Sequence, residues 1–282
     1  MSKRPTSNKR NLNINLDDYL KDVRDIYAAD SITKMFNSLV YGDFGTGKTY
    51  SLRTAPKPVL IHSFDPGGTR SVKTLIDKGE ILADTRFEDE DAQNPTAYRL
   101  WEDTFDALRA TDFFNHIGTY VLDSVTTWTE SIMNAILKAE RRNGQPPQIQ
   151  DYQAQMGTIR DAIKVMTGLP CNFIATGHID TMKDDVTGRI VTGPMVTGKM
   201  KAKMPLLFDE IYVSLASRTS SGIEYYFLTQ NDGRYKARSR LAEEGQLELQ
   251  ESQDWKQILR KTGYQYENKP LDVEAQLQRT TE

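Results

Sequence analysis

Eight consecutive residues constrain this chain more than any others: Gly42-Asp43-Phe44-Gly45-Thr46-Gly47-Lys48-Thr49 fits the pattern G-x-x-x-x-G-K-[ST] and follows a short apolar run, Ser38 to Tyr41. Glycines at this spacing open backbone conformations closed to other residues, so successive N–H groups can turn inward on a polyphosphate. The residues from Lys48 suit a helix as far as Ala55, where Pro56 stops it, and such a helix adds the positive end of its dipole. In a loop of this kind Gly42 through Tyr50 cradle the nucleotide, and Lys48 reaches the β- and γ-phosphates. The Thr49 hydroxyl sits on a Mg²⁺ ion that bridges them.

Composition narrows the rest. The 282 residues are 38% hydrophobic, enough for a packed core, and carry a net charge of -3, which argues against a generally basic nucleic-acid coat. The charge is uneven: residues 1–11 hold Lys3, Arg4, Lys9 and Arg10 without an acid, and the segment from Ala242 onward holds nine acids against five bases. One cysteine, Cys171, and three scattered histidines exclude an intrachain disulfide and a cysteine-rich metal site, in keeping with a reducing cytoplasm. No apolar stretch approaches the 18 or so residues of a membrane span, and the basic N-terminus lacks the apolar run of a signal peptide. A soluble, cytoplasmic protein is expected.

Strand and helix alternate along the chain. Residues 1–13 read as a flexible basic tail; Leu16, Tyr19, Leu20, Val23 and Tyr27 then recur at helical spacing. Strands are predicted at Pro58–Phe64, Ile81–Phe87, Thr119–Leu122 and Cys171–Thr176, and helices at Val125–Arg142 and Asp151–Thr167. Residues 180–198 read as a long hairpin or mobile loop, and the acidic stretch Glu88 to Asp91 as a solvated loop. Later strands are expected at Ile211–Leu215, Ile223–Thr229 and Arg234–Ala237, the last two joined through Asn231-Asp232-Gly233. The outcome is an α/β fold, a mainly parallel sheet flanked by helices with antiparallel strands at one edge. Residues 14–241 form this domain, N-terminal helix included, and residues 242–282 an acidic polar extension, partly disordered but with a short helix around Asp254 to Lys261.

Chemistry concentrates at predicted strand ends. Asp123 follows the apolar run Tyr120-Val121-Leu122, where a carboxylate holds magnesium through its water shell. Asp65, at the end of the strand after the loop, reads either as the group that orients the attacking water or as a cap of the helix opened by Gly67-Gly68. His178 follows another strand end, where an imidazole senses the γ-phosphate or simply packs. Lys199, Lys201 and Lys203 alternate, which would put them on one side of an extended segment but fan them out on a helix, and Arg234, Lys236, Arg238 and Arg240 alternate on one face of the last predicted strand. Each cluster suits nucleic-acid phosphate, a neighbouring subunit or solvent.

These residues resemble a known family. GDFGTGKT, SFDPGG, VLDSVTTW, QDYQAQMGTIRDAI, FIATGHID and KMKAKMPLLFDEIYVS follow the order of a RecA-like core. More narrowly they resemble the phage-encoded Sak4-type P-loop ATPases, RecA relatives associated with single-strand annealing and recombination. The likeness spans roughly Leu39 to Arg240. It implies ATP and Mg²⁺ as cofactors, a slow, DNA-stimulated ATPase, and Asp65 in place of the usual water-activating glutamate. It further implies His178 as reporter of the γ-phosphate and Lys199 and Lys201 as lysines that cross a subunit interface. The loops Asn143–Gln150 and Ile179–Gly198 would line the DNA path, the second through Lys183, Arg189 and its backbone because it lacks aromatic residues. The implied partners are single-stranded DNA, further copies in a ring or filament, and a single-stranded DNA-binding or other recombination protein, in a bacterial host cytoplasm. Two other functions fit the same residues: a P-loop switch or assembly factor acting on protein partners without DNA, and, less well, a helicase motor.

Overall fold

The computed structural model describes residues 15–33, 35–183, 188, 190–240 and 246–271, and the expected N-terminal tail falls outside them. The chain divides into two units, Met1–Lys34 and Met35–Glu282. The first holds the expected N-terminal helix, α1 (Leu16–Thr33), on which Tyr19, Leu20 and Val23 are exposed.

The second unit is a sheet that alternating apolar side chains bury on both faces. Its strands are β1 (Asn37–Gly42), β2 (Val59–Ser63), β3 (Ile81–Asp84), β4 (Thr119–Asp123), β5 (Asn172–Lys183), β6 (Ile190–Pro194), β7 (Glu210–Thr219), β8 (Gly222–Leu228) and β9 (Gln250–Ser252). They lie in the order β3-β2-β4-β5-β1-β7-β8-β9, with β6 paired only to β5. From β3 to β7 every pairing is parallel; β8, β9 and the β5–β6 hairpin are antiparallel. The helices are α2 (Lys48–Ser51), α3 (Lys73–Asp77), α4 (Ala97–Arg109), α5 (Val125–Ala139), α6 (Ile149–Met166), α7 (Met200–Lys203) and α8 (Trp255–Lys261).

Successive strand residues point to opposite faces. Leu39, Tyr41, Leu60, Tyr120, Leu122 and Phe173 meet Trp101 of α4, Trp128 of α5 and Ile159 of α6 in one core. Their neighbours Val40, Val59, Ile61, Val121, Ile174 and Tyr212 form the other with Leu52 and with Trp255, Ile258 and Leu259 of α8. This is the expected fold class.

One strand expectation fails for an identifiable reason. Arg234–Ala237 is not a strand: Tyr235 and Arg238 make only isolated bridges. Asp232 Oδ1 accepts the Arg234 and Tyr235 amides at 2.9 and 2.7 Å, and Asn231 Oδ1 accepts the Gly233 amide at 2.8 Å. The turn's own side chains therefore capture donors that a ladder needs. Of the two placements open to Lys199, Lys201 and Lys203, the chain takes the helical one: Met200–Lys203 is a helix, and the side chains fan out. The polar extension, whose described part includes the expected short helix, joins the sheet and the core. It supplies β9 as the neighbour of β8, and α8, capped by Asp254 Oδ1 on the Gln257 amide, buries Trp255 against Phe36, Tyr212 and Phe227.

Trp255→Ala should accordingly destabilise the fold by about 3–5 kcal/mol in urea unfolding, as expected for emptying a core aromatic site. A second stability test concerns His62, buried between Phe87 and Tyr120, whose Nδ1 meets the Tyr120 hydroxyl at 3.1 Å. Burial pushes its pKa down to about 4. The unfolded chain, near 6.5, takes up the proton first, so stability falls as pH drops from about 6.5 to about 4, by about 3 kcal/mol over that window. Unfolding measured across this range should show that slope, and His62→Phe should flatten it.

Candidate functional site

Parallel strands end on the same side of a sheet, and register brings four of those ends together. Gly42 of β1 stands opposite His178 of β5, and Ser63 of β2 opposite Asp123 of β4. The loop after β1 turns on Gly45 and Gly47, at φ 73° and 90°, values that favour glycine. Its first residue is constrained by contact instead: a Cβ on Gly42 would lie 2.4 Å from the Ser214 carbonyl oxygen of β7. Thr46 Oγ1 donates to the Asp43 carbonyl at 2.8 Å and closes the loop on itself.

Lys48 folds back over this loop, donating from Nζ to the carbonyls of Gly42 at 3.0 Å and Asp43 at 2.8 Å. Burial pushes its pKa below the ordinary lysine value, with Asp123, Asp65 and Asp43 pulling the other way. Among the described residues it makes no direct ion pair. A buried ammonium held only by carbonyls is poised for a stronger anionic partner.

Asp123 is buried and fully engaged. Its Oδ2 accepts the Thr49 hydroxyl at 2.8 Å, and its Oδ1 accepts that of Thr176 on β5. Burial, and then the nearby charge of Asp65, push its carboxyl pKa up, while the two hydroxyls oppose the rise.

Asp65 does not cap the following turn with its side chain. Its Oδ1 accepts from Ser124 Oγ at 2.9 Å and Thr127 Oγ1 at 2.6 Å, and its Oδ2 lies 2.9 Å from His178 Nε2. Burial pushes its carboxyl up, but the bonds from His178, Thr127 and Ser124 outweigh this and leave it below the usual carboxylate range. His178 is fixed in turn by its amide, which donates to Thr126 Oγ1 at 3.0 Å.

These groups line one open cavity of about 660 Å³, together with Phe44, Gly45, Gly47, Tyr50, Gly68, Ser71 and Tyr225. The volume lies within the range of small-ligand sites. The donor set fits a nucleoside triphosphate with Mg²⁺: a loop with glycines at positive φ, a desolvated lysine, and a hydroxyl beside a carboxylate. Thr49 and Asp123 would hold the ion, the former directly and the latter through its water shell. Among the described residues no cluster of three His, Cys, Asp or Glu side chains could hold a metal alone, so phosphate oxygens would complete the shell.

The basic residues lie elsewhere. Lys201 pairs with Asp180 in the same chain; Arg238 donates to the carbonyls of Pro205 at 3.0 Å and Phe208 at 2.7 Å; Arg240 pairs with Asp209. Arg234 lies over the Tyr235 ring, while Lys183, Lys199, Lys203 and Lys236 are exposed. Arg189 lies outside the described residues. The cluster after Gly233 therefore has no common charged face.

Sequence reasoning missed Ser124, Thr127 and Thr176, hydroxyls that orient the two aspartates. It also misread the acidic loop. Glu88 accepts from Ser63 Oγ at 2.6 Å and the Gly67 amide at 2.9 Å, securing the turn after Asp65, and Glu90 accepts the Ala97 amide at the start of α4. Replacing Asp65 with Asn should lower nucleotide hydrolysis about 10²–10⁴-fold with little change in nucleotide affinity, the pattern of a group that acts in the transition state. Turnover and equilibrium binding measured on the same preparation check this.

Residues 35–241 match the AAA domain family (AAA_24). No curated protein shows significant sequence similarity to the chain. Among solved structures, a KaiC-like protein from the hyperthermophilic archaeon Pyrococcus horikoshii is 10% identical, with a TM-score of 0.37 over 69% of this chain and 78% of its own. An ATPase from the type III secretion system of pathogenic bacteria is 13% identical, with a TM-score of 0.42 over 78% of this chain and 58% of its own. The flagellar accessory protein FlaH from Methanocaldococcus jannaschii is 13% identical, with a TM-score of 0.36 over 72% and 80%. Scores this low leave the assignment to the family match and to the site itself. Every residue lining the cavity falls within that match, and the chain belongs to the AAA domain family as a P-loop ATPase.

Proposed function

We propose that this protein is a Mg²⁺-dependent ATPase that binds single-stranded DNA and, assembled with copies of itself, promotes annealing, recombination or replication, as its resemblance to Sak4-type RecA relatives implies. The contact between Asp65 and His178 carries this reading. Oδ1 already accepts two hydroxyls, so Oδ2, which meets only His178 Nε2, is the oxygen with a lone pair left to take a proton from an attacking water. An imidazole drawn toward the γ-phosphate would free that oxygen fully when a triphosphate is bound. His178 also lies on β5, which continues without a break to Lys183 and the β5–β6 hairpin. The strand that reports the nucleotide is thus the one that presents the loop expected to meet DNA. Lys199 and Lys203, both exposed, suit contacts to DNA or a neighbouring copy.

A second reading, a nucleotide switch acting on protein partners, is favoured by the engagement of Lys201, Arg238 and Arg240 within the chain, which leaves fewer cations for phosphate.

Turnover of the wild type and of Lys48→Ala, each with single-stranded, duplex and no DNA, separates the two. The wild-type rate should rise with single strands, DNA binding should weaken steeply with salt, and Lys48→Ala should lose activity in every arm. An unchanged rate without salt-sensitive DNA binding supports the protein-partner switch. Full turnover by Lys48→Ala refutes both readings.

A further inference from the structure

The Thr46–Gly47 peptide of the phosphate-binding loop is held from behind by two side chains that no loop motif contains. The Thr46 carbonyl accepts from Ser214 Oγ at 2.9 Å and from Gln253 Nε2 at 2.9 Å, and the same Nε2 lies 2.8 Å from Ser214 Oγ. Ser214 is fully buried in β7, directly opposite Gly42. Gln253 sits between β9 and α8, and the next turn is anchored to the far end of the loop's helix. The Trp255 amide donates to Thr54 Oγ1 at 3.0 Å, and the indole Nε1 to Ser51 Oγ at 3.1 Å.

A trans peptide points its C=O and N–H in opposite directions, and this peptide is trans. Two donors that fix the Thr46 carbonyl on the protein side therefore leave the Gly47 N–H on the other side, toward the cavity that Gly47 lines. If the carbonyl were free, the peptide could rotate and offer a partial negative charge to an anion. The Gln253 amide also sits against Gly47 itself: a Cβ there would lie 2.5 Å from Gln253 Oε1 and would have to displace that side chain. We infer that Ser214 and Gln253 are positioning residues for the phosphates, orienting the Gly47 N–H through the Thr46 carbonyl, and that the C-terminal segment is thereby part of the nucleotide site. The inference rests on the reading of this cavity as a triphosphate site.

Equilibrium binding of a non-hydrolysable ATP analogue to the full chain tests it. Gln253→Glu keeps the size of the side chain but replaces the donor with a carboxylate whose charge also acts on the phosphates. It is therefore paired with Gln253→Met, which removes the donor without a charge; both should raise Kd about tenfold. Ser214→Ala should act similarly. Because Ser214 and Gln253 work through one carbonyl, the double variant Ser214→Ala with Gln253→Met should lose less than the product of the single losses. Nucleotide-free thermal midpoints identify any variant that fails to fold, and Ser214→Ala then decides if a Gln253 variant is the one lost. If Lys48→Ala weakens binding but Gln253→Met and Ser214→Ala bind as the wild type does, this inference is overturned and the triphosphate site stands. If Lys48→Ala also binds normally, the site reading falls and the inference with it.

Discussion

A lysine ammonium held by two backbone carbonyls inside a cavity is the constraint on which the rest of this site turns. Lys48 is desolvated without a direct carboxylate partner among the described residues, while Asp65 and Asp123 stand on the same cavity. Removing a charge from water is costly unless it is paired and hydrogen-bonded, so the arrangement reads as one completed by an anion. Added phosphate charge beside two carboxylates in turn needs a divalent cation, and the Thr49–Asp123 pair is where hard oxygen ligands converge. The sheet makes this possible. Parallel strands in the order β2-β4-β5-β1 bring Asp65, Asp123, His178 and the loop to one end.

Each aspartate accepts two hydroxyls, so burial and the His178 contact are what set the two apart. Asp123 receives Thr49 and Thr176 yet keeps a raised pKa, because burial and the neighbouring carboxylate outweigh them. Asp65, less enclosed and bonded to His178, Thr127 and Ser124, is held below the usual range. Two carboxylates in one cavity thus differ in proton affinity through their surroundings, a common means of separating roles within one site.

What the sequence makes legible follows from how local each signal is. The loop is eight contiguous residues, and its chemistry is readable because spacing along the chain is spacing in space. The strand cores are readable because period-two burial leaves a mark in the order of residues. Thr176 is invisible by the same logic: a threonine inside CNFIAT looks like any β-branched strand residue until β4 brings Asp123 beside it. Alternating charges from Arg234 to Arg240 mimic a strand face, yet Asn231 and Asp232, read as a hairpin turn, use their side chains to stop the ladder from forming.

The C-terminal segment shows the limit most clearly. Its composition is acidic and glutamine-rich, but composition averages over faces, and Leu247, Trp255, Ile258 and Leu259 are a small minority that the core takes up completely. Gln253 then reaches a loop 207 residues earlier in the chain. No spacing rule links positions so distant. The link is created when β9 pairs with β8 and α8 packs beneath the loop's helix, so the packing that stabilises the end of the domain also sets a peptide at its nucleotide cavity. Such sharing makes fold stability and ligand affinity thermodynamically coupled: a ligand that prefers the ordered loop must also favour the ordered C-terminal segment, and the reverse holds by the same free energy.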